Sequence, residues 1–268
     1  MLNMNNFITD EVRRITEVDL TTNLVNWTAR KIESPTWEFT GETVEKNDNK
    51  GAKLAIFDTA KGVTFSGELS MVTIPALASQ RGAVVEYGTE ELPVAGELFE
   101  ILKVKDGKAT MTHTPTTAPT HIYEITADKN TGEAFEVGTE WAVSGRDVTV
   151  PESYTSTYVG VYYKFTAKSG TLVKDMADEY SDAAKYIIEI YAKEICSERR
   201  RLGYIVFPKA KMSNNFSINL TTEGTHPFSL EAIQDYCADE NLLCYLLFPD
   251  PDDAQLWVFS VVSVRCVV

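Results

Sequence analysis

What this chain lacks narrows its chemistry first. Cysteine is scarce: Cys196, Cys237, Cys244 and Cys266 are the four in 268 residues, and none forms a C-x-x-C pair. No histidine stands at metal-ligand spacing from them, so buried or free thiols made in a reducing compartment are expected rather than a zinc centre or a disulfide framework. Histidine is scarcer still, with only His113, His121 and His226. The first two sit in or beside a Thr- and Pro-rich stretch and the third in a Gly-Thr-His-Pro turn. A nucleophile–histidine–carboxylate triad needs a rigid frame, which such positions do not offer. The chain has no G-x-S-x-G, phosphate-loop or dinucleotide fingerprint, so no catalytic residues, cofactor or metal are expected. It has no apolar run long enough to span a bilayer. Met1 to Asn6 is polar and no apolar stretch follows, so no secretory leader is expected either. Positive charge is short: 25 Lys and Arg face 39 Asp and Glu, a net of -14. A nucleic-acid clamp would need a basic stripe. An acidic surface that DNA passes without sticking fits the charge, and so does simple solubility.

Two weak motifs dissolve on inspection. DKNTGE, Asp128 to Glu133, starts like a calcium loop, but Gly132 arrives too early and no Glu closes the loop, so a hairpin turn is expected. The ERRR run, Glu198 to Arg201, suits a phosphate. On an acidic chain it is better explained as a solvated loop or a subunit salt bridge.

What is present is the grammar of β-structure. In TWEFTGETV, Trp37 and Phe39 alternate with Glu38 and Thr40. NDNKG, Asn47 to Gly51, marks a turn, KLAIF follows, and Asp58 to Gly62 marks a second turn. Then Val63, Phe65, Leu69 and Met71 point one way, while Thr64, Ser66, Glu68 and Ser70 point the other. Three antiparallel strands are expected here. FSINL repeats the pattern, with Phe216, Ile218 and Leu220 opposed to Ser217, Asn219 and Thr221. YIVF, LLCYLLF and LWVFSVVSV read as further strands, the last two joined by the acidic turn Pro249 to Asp253.

Helical signals are few. PALASQR has Pro75 at a first helical position and Gly82 at the stop. FSLEAIQDY is a candidate short helix. Asp178 to Cys196 is ambiguous, since Tyr180, Ala184, Ile187, Ile188, Tyr191 and Ile195 fit a helical stripe while YIIEIYAKEI also alternates. Asp10 to Glu17 suits either a short helix or an arm that orders on a partner. THTPTTAPTH reads as a linker. The strands after it, ending in one with Val159, Val161, Tyr163 and Phe165 on a face, have an immunoglobulin-like texture.

The order of these elements, and above all IVFPKAK…FSINL…PFSLEA from Ile205 to Ala232, resembles the tail tube (major tail) proteins of long-tailed bacteriophages. EFTGETV…KLAIFD…VTFSGELSM…PALASQRG supports the resemblance in the front half. It implies a mainly β fold: a β-sandwich or half-barrel core with one or two short helices and an inserted small β subdomain. The expected division is an arm over residues 1–32, a core over 33–112 and 169–268, and the insertion over 113–168. It favours strand over helix for Tyr186 to Ile195. It also implies copies that self-associate into rings, usually hexameric, stacking into a virion tube alongside other tail proteins, with DNA passing through without specific binding. The polar faces Thr64, Ser66, Glu68, Ser70 and Ser217, Asn219, Thr221 are the candidate bore residues; as ordinary solvent faces they need no such role. Two rivals stand beside this: a capsid, decoration or connector protein, and a carbohydrate-binding sandwich stacking sugars on Trp37, Trp141, Tyr162 or Tyr163.

Overall fold

Strand after strand of this chain has one apolar face, and the computed structural model shows how those faces are buried. It describes residues 6–138, 140–195, 199–237 and 240–249. The expected last strand, LWVFSVVSV, the acidic turn before it from Asp250 on, and Cys196 and Cys266 lie outside the described residues. The chain divides into two compact units: one from residues up to Val84 and from Asp175 onward, the other Val85–Lys174.

The first unit contains β1 (Phe7–Val18), β2 (Val25–Arg30), β3 (Ile32–Asn47), β4 (Lys53–Leu69) and α1 (Ile74–Arg81). The second follows with β5 (Val84–Gly88), β6 (Val94–Lys103), β7 (Lys108–Thr110), β8 (His121–Ile125), β9 (Thr131–Glu136), β10 (Ala142–Ser144), β11 (Asp147–Thr149), β12 (Tyr158–Ala167) and β13 (Gly170–Lys174). The chain then returns to the first unit with β14 (Ala184–Glu194), β15 (Arg200–Met212), β16 (His226–Ala232) and β17 (Tyr245–Leu247). The fold is mainly β.

In the first unit one eight-stranded sheet runs β2-β1-β14-β15-β16-β4-β3, with β17 also paired to β15. The ladders are antiparallel. β15 serves two partners along one edge: Tyr204 to Val206 pair with β17, Ala210 to Met212 with β16. The sheet wraps one core, because Ile15, Ile32, Phe65, Leu69, Tyr186, Ile188, Phe207 and Leu230 from six strands all pack together. Burying a large apolar side chain of this kind contributes roughly 1.5–3 kcal/mol.

Residues 7–18, expected as an arm or helix, are a central strand of this sheet. A register shift between Val12 and Arg14 moves the inward set from Val12 to Ile15 and Glu17. That bulge breaks the simple alternation a strand shows in sequence. Residues 184–194 are strand, and their inward face is Tyr186, Ile188 and Ile190.

α1 forms where expected, with Pro75 in its first turn and Gly82 ending it at φ 73. A Cβ on Gly82 would overlap the Tyr180 carbonyl, so both conformation and space demand glycine.

Three expected local structures are different. Asp58 to Gly62 is no turn: β4 runs straight through it, with a bulge opposite Glu42 and Thr43. FSLEAIQDY is no helix: β16 covers His226–Ala232 with Phe228 and Leu230 inward. FSINL is no strand: residues 213–225 form an irregular loop in which Leu220 is 90% exposed.

The second unit holds a four-stranded sheet, β6-β12-β8-β9, and a three-stranded one, β10-β11-β7. Met111, Ile122, Trp141, Val148, Val159, Val161 and Tyr163 fill a core drawn from both. β5 and β13, the strands by which the chain enters and leaves, pair with each other. The expected linker lies inside this unit: Met111 is fully buried, and His113 stacks on Phe165 at 4.2 Å.

Candidate assembly surface

β3 and β4 are longer than the sheet that supports them. β16 pairs with β4 only from Thr64 to Leu69. Beyond that point Glu38–Asn47 and Lys53–Gly62 continue as a two-stranded ribbon. The ribbon carries apolar side chains without burying them: Phe39, Val44, Leu54, Ile56 and Phe57 are each 56–65% exposed. Val44 opposes Phe57 on one face, while Ile56 opposes Glu45 on the other, so both faces are partly apolar. A two-stranded ribbon in water is marginal on its own, and exposed apolar residues clustered on one element mark an interaction surface. The hairpin is closed by Asp48, whose carboxylate accepts hydrogen bonds from the Lys50 and Ala52 amides.

The predicted bore residues fall into two groups. Thr64, Ser66 and Glu68 share the outward face of β4, half-buried, opposite Val63, Phe65 and Leu69, and Ser70 follows just past the strand's end. Their cross-strand neighbours are Glu38, Thr36 and Glu33 on β3, and Glu231, Ser229 and Pro227 on β16. The face is therefore hydroxyls and carboxylates. Ser70 Oγ donates to Glu33 Oε1 at 2.8 Å, and Thr225 Oγ1 donates to Glu68 Oε2 at 2.6 Å. Ser217, Asn219 and Thr221 are exposed on the loop that ends at that Thr225 contact, not on a strand face. Alternation in FSINL suggested a shared face that the backbone does not provide.

The outer face of the opposite half of the same sheet brings together cations that are distant in sequence, with Glu11 and Glu189 among them. Arg30 on β2, Arg14 on β1, and Lys185 and Lys193 on β14 face outward. Glu189 sits among them, 6% exposed, and takes Arg14 through Nε at 2.9 Å and through Nη2. The hydrogen bond to Glu189 holds the Arg14 guanidinium firmly charged. Arg200 stacks over Tyr191 at 3.9 Å. Among the described residues both outer edges of the sheet, β2 and β3, have no further partner strand, and Pro35 on β3 is tolerated because it sits at an edge.

Little here is arranged for catalysis. His121 pairs with the Thr120 hydroxyl, His113 stacks on Phe165, and His226 is enclosed. Among the described residues no three His, Cys, Asp or Glu gather to hold a metal, and no helix is long and apolar enough to cross a membrane. Of the aromatics considered for sugar stacking, Trp141 and Tyr163 are core residues, Trp37 is half-buried, and Tyr162 is at the surface.

A sequence profile of the YomU/Tube protein family matches residues 6–242. The chain belongs to that family. No curated protein matches the sequence. Membership of the YomU/Tube family marks a tube-like structural protein, and points away from an enzyme. The match takes in the ribbon, both halves of the sheet's outer surface and the whole second unit.

Proposed function

We propose that this chain is the subunit of a phage tail tube, made in the host cytoplasm and incorporated in the virion tail, where copies close into rings that stack around a DNA-conducting channel. The observation that carries the proposal is the ribbon of residues 38–62, whose exposed apolar residues a neighbouring copy would cover. The two unpaired edges support it, since β2 and β3 are different surfaces and a β2-to-β3 contact is heterologous, the type that closes into rings. Outward Arg30, Lys185 and Lys193 on one half of the sheet and Glu33, Glu38 and Glu231 on the other are electrostatic complements for such a contact. Thr64, Ser66, Glu68 and Ser70, with Ser217, Asn219 and Thr221, are the proposed bore residues. Carboxylates there would repel phosphates and let DNA pass without trapping. Other tail proteins would meet the ends of the tube, and Val85–Lys174 is proposed to decorate it.

Electron microscopy of the purified chain at high concentration tests this. Rings or tubes are expected, and only dispersed monomers across salt conditions would refute the reading. Covering Phe57 is worth roughly 1.5–3 kcal/mol per copy. Phe57→Ser is therefore expected to raise the concentration needed for assembly at least about tenfold, while leaving the circular dichroism spectrum of the monomer unchanged.

A further inference from the structure

The loop of residues 213–225 covers a histidine that has no place for a second proton. His226 is the first residue of β16 and pairs with Leu69, the last of β4. Its side chain points inward with Phe228 and Leu230 and is 0% exposed. Gln80 of α1 lies on one side of the ring, with Oε1 at 2.8 Å from Nε2, and the Phe216 ring of the loop lies at 5.4 Å. The same Gln80 holds the start of the loop, donating through its amide nitrogen to the Ser213 carbonyl at 2.9 Å. Its oxygen is therefore the acceptor, and the neutral ring carries its proton on Nε2. Nδ1 is buried, and among the described residues it has no hydrogen-bond partner.

A second proton would sit on Nδ1 and would need an acceptor there. The charged groups of the surrounding elements do not supply one. On α1, Arg81 is itself a cation, bound to Asp175 and to the Asn214 carbonyl. On β1, Glu17 already accepts from Asn26, Trp27, Tyr186 and Ser79. Glu68 is on the outward face of β4, where it accepts from Thr225, and Glu33 across from it on β3 accepts from Ser70. Lys211 of β15, Glu223 of the loop and Glu231 of β16 are exposed. An unpaired charge is not retained in such a site, and burial accordingly lowers the pKa of His226 from its ordinary 6.5.

The weakest part of the enclosure is the loop. Residues 213–225 contain neither strand nor helix. The Ser213 amide donates to the Ser229 carbonyl at one end, Thr225 holds Glu68 at the other, and Arg81 reaches Asn214. We propose that residues 213–225 are an acid-released flap: a proton taken up at His226 Nδ1 lifts the loop and brings the imidazolium to water, while β15 and the rest of β16 stay paired. The open form takes up that proton as pH falls through about 6.5 and the closed form resists it. Closure is therefore complete above that pH, and below it loses up to about tenfold per pH unit. The loop carries Ser217, Asn219 and Thr221, so acid would displace residues proposed for the bore, but the release does not rest on that proposal.

Hydrogen exchange of the dilute full chain, corrected at each pH for the intrinsic amide rate, tests the flap. Two amides report on it: Ser213, bonded to the Ser229 carbonyl, and Gly224, bonded to the Thr221 carbonyl at 3.0 Å. Their protection is expected to fall at least about fivefold from pH 7 to pH 5, while the Ile188 and Ile190 amides of β14 keep a larger protection throughout. Constant protection of the loop amides over that range overturns the proposal. His226→Gln, which can still donate to Gln80 but cannot take the proton, is expected to abolish the fall; a fall that persists overturns the assignment to His226. Should that variant not fold, nuclear magnetic resonance of the wild-type ring decides. Loss of the Phe216–His226 proton contact as the ring titrates is expected, and a ring that titrates with the contact intact overturns the flap. Glu68→Gln is expected to keep the fall, and its disappearance there would overturn the proposal by assigning the trigger to the carboxylate.

Discussion

At the scale of single residues, the first unit is pinned by a carboxylate that sequence alone makes look misplaced. Glu17 is 2% exposed, yet among the described residues its partners are neutral donors. It accepts from Asn26 Nδ2 at 2.8 Å, Trp27 Nε1 at 2.9 Å, the Tyr186 hydroxyl at 2.8 Å and the Ser79 hydroxyl. Those donors come from β2, β14 and α1, so one side chain ties three elements to β1. A buried charge is tolerated when its hydrogen-bonding capacity is filled. The arrangement acts back on Tyr186: burial first, then the Glu17 charge, pushes its ionisation far above the usual tyrosine value of 10.0. Above pH 10 the unfolded chain loses that proton and the native chain keeps it, so native stability is full below pH 10 and falls as pH rises. The slope from this group is about 1.4 kcal/mol per pH unit. Urea titrations between pH 9 and 11 are expected to show the decline, and Tyr186→Phe to remove about that much of the slope while lowering stability at pH 8. An alkaline slope identical in the two proteins would show that Tyr186 is not its source. His226 presents the mirror case. Its Nε2 faces Gln80 Oε1 at 2.8 Å, while Nδ1 is buried without a partner, and burial lowers its pKa. Gln80 uses its amide nitrogen on the Ser213 and Pro227 carbonyls, which leaves the oxygen for the ring and assigns the proton to Nε2.

Elements were legible where one local rule acted alone. The helix over 74–81 announced itself by Pro75 and Gly82. Gly82→Ala is expected to cost at least about 2 kcal/mol, since a left-handed conformation penalises any Cβ by roughly 1–2 kcal/mol and here the Cβ also meets the Tyr180 carbonyl. Thermal unfolding measures it, and a midpoint unchanged from wild type would contradict the cap geometry. The inward face of β4 was equally plain, because Val63, Phe65 and Leu69 alternate without interruption. Elsewhere two rules competed. β1 hides its period behind the bulge at Arg13, and its inward Glu17 looks like a surface residue. Asp58 to Gly62 has turn composition, yet fourteen register pairs carry β3 along β4 through and beyond it, and the misfit is absorbed as a bulge. FSINL alternates as well as any strand here, but alternation states only which side chains agree, not whether a partner strand exists. The backbone at Gly224 packs so closely on the Asn219 carbonyl that no Cβ fits, and the loop closes on itself instead. The polar outward face of β4 was therefore readable, whereas the grouping of outward cations on the other half of the sheet was not. Arg14, Arg30 and Lys185 come together only through cross-strand pairing between distant segments.

At the scale of the whole molecule, the net charge of -14 is a poor guide to any one surface, because pairing between distant segments decides which charges of the first unit face outward together. Arg14, Arg30, Lys185 and Lys193 share the outer surface of β2, β1 and β14 with Glu11 and Glu189, while Glu33, Glu38, Glu68 and Glu231 share that of β3, β4 and β16. The second unit has its own logic. Val85–Lys174 is 90 residues, above the size at which a single core usually suffices. Its core is complete without borrowed side chains: Leu102, Met111, Ile122, Val148, Val159 and Val161 surround Trp141, which stacks on Phe135 at 4.8 Å and meets Tyr154 edge-on at 5.0 Å. The Tyr154 hydroxyl donates to the Tyr158 carbonyl at 2.7 Å. Entry and exit strands pair, with Lys174 Nζ on Glu86 at 2.6 Å, so excision leaves a paired base rather than loose ends. A fragment of residues 84–174 is thus expected to fold alone. Trp141 is its one tryptophan, so fluorescence reports this core directly. Emission of a buried indole is expected in buffer, moving to that of an exposed indole in one cooperative urea transition with a slope of about 1 kcal/mol/M or somewhat more. An exposed-indole spectrum already in buffer, with no transition, would mean that the unit depends on the rest of the chain for its fold.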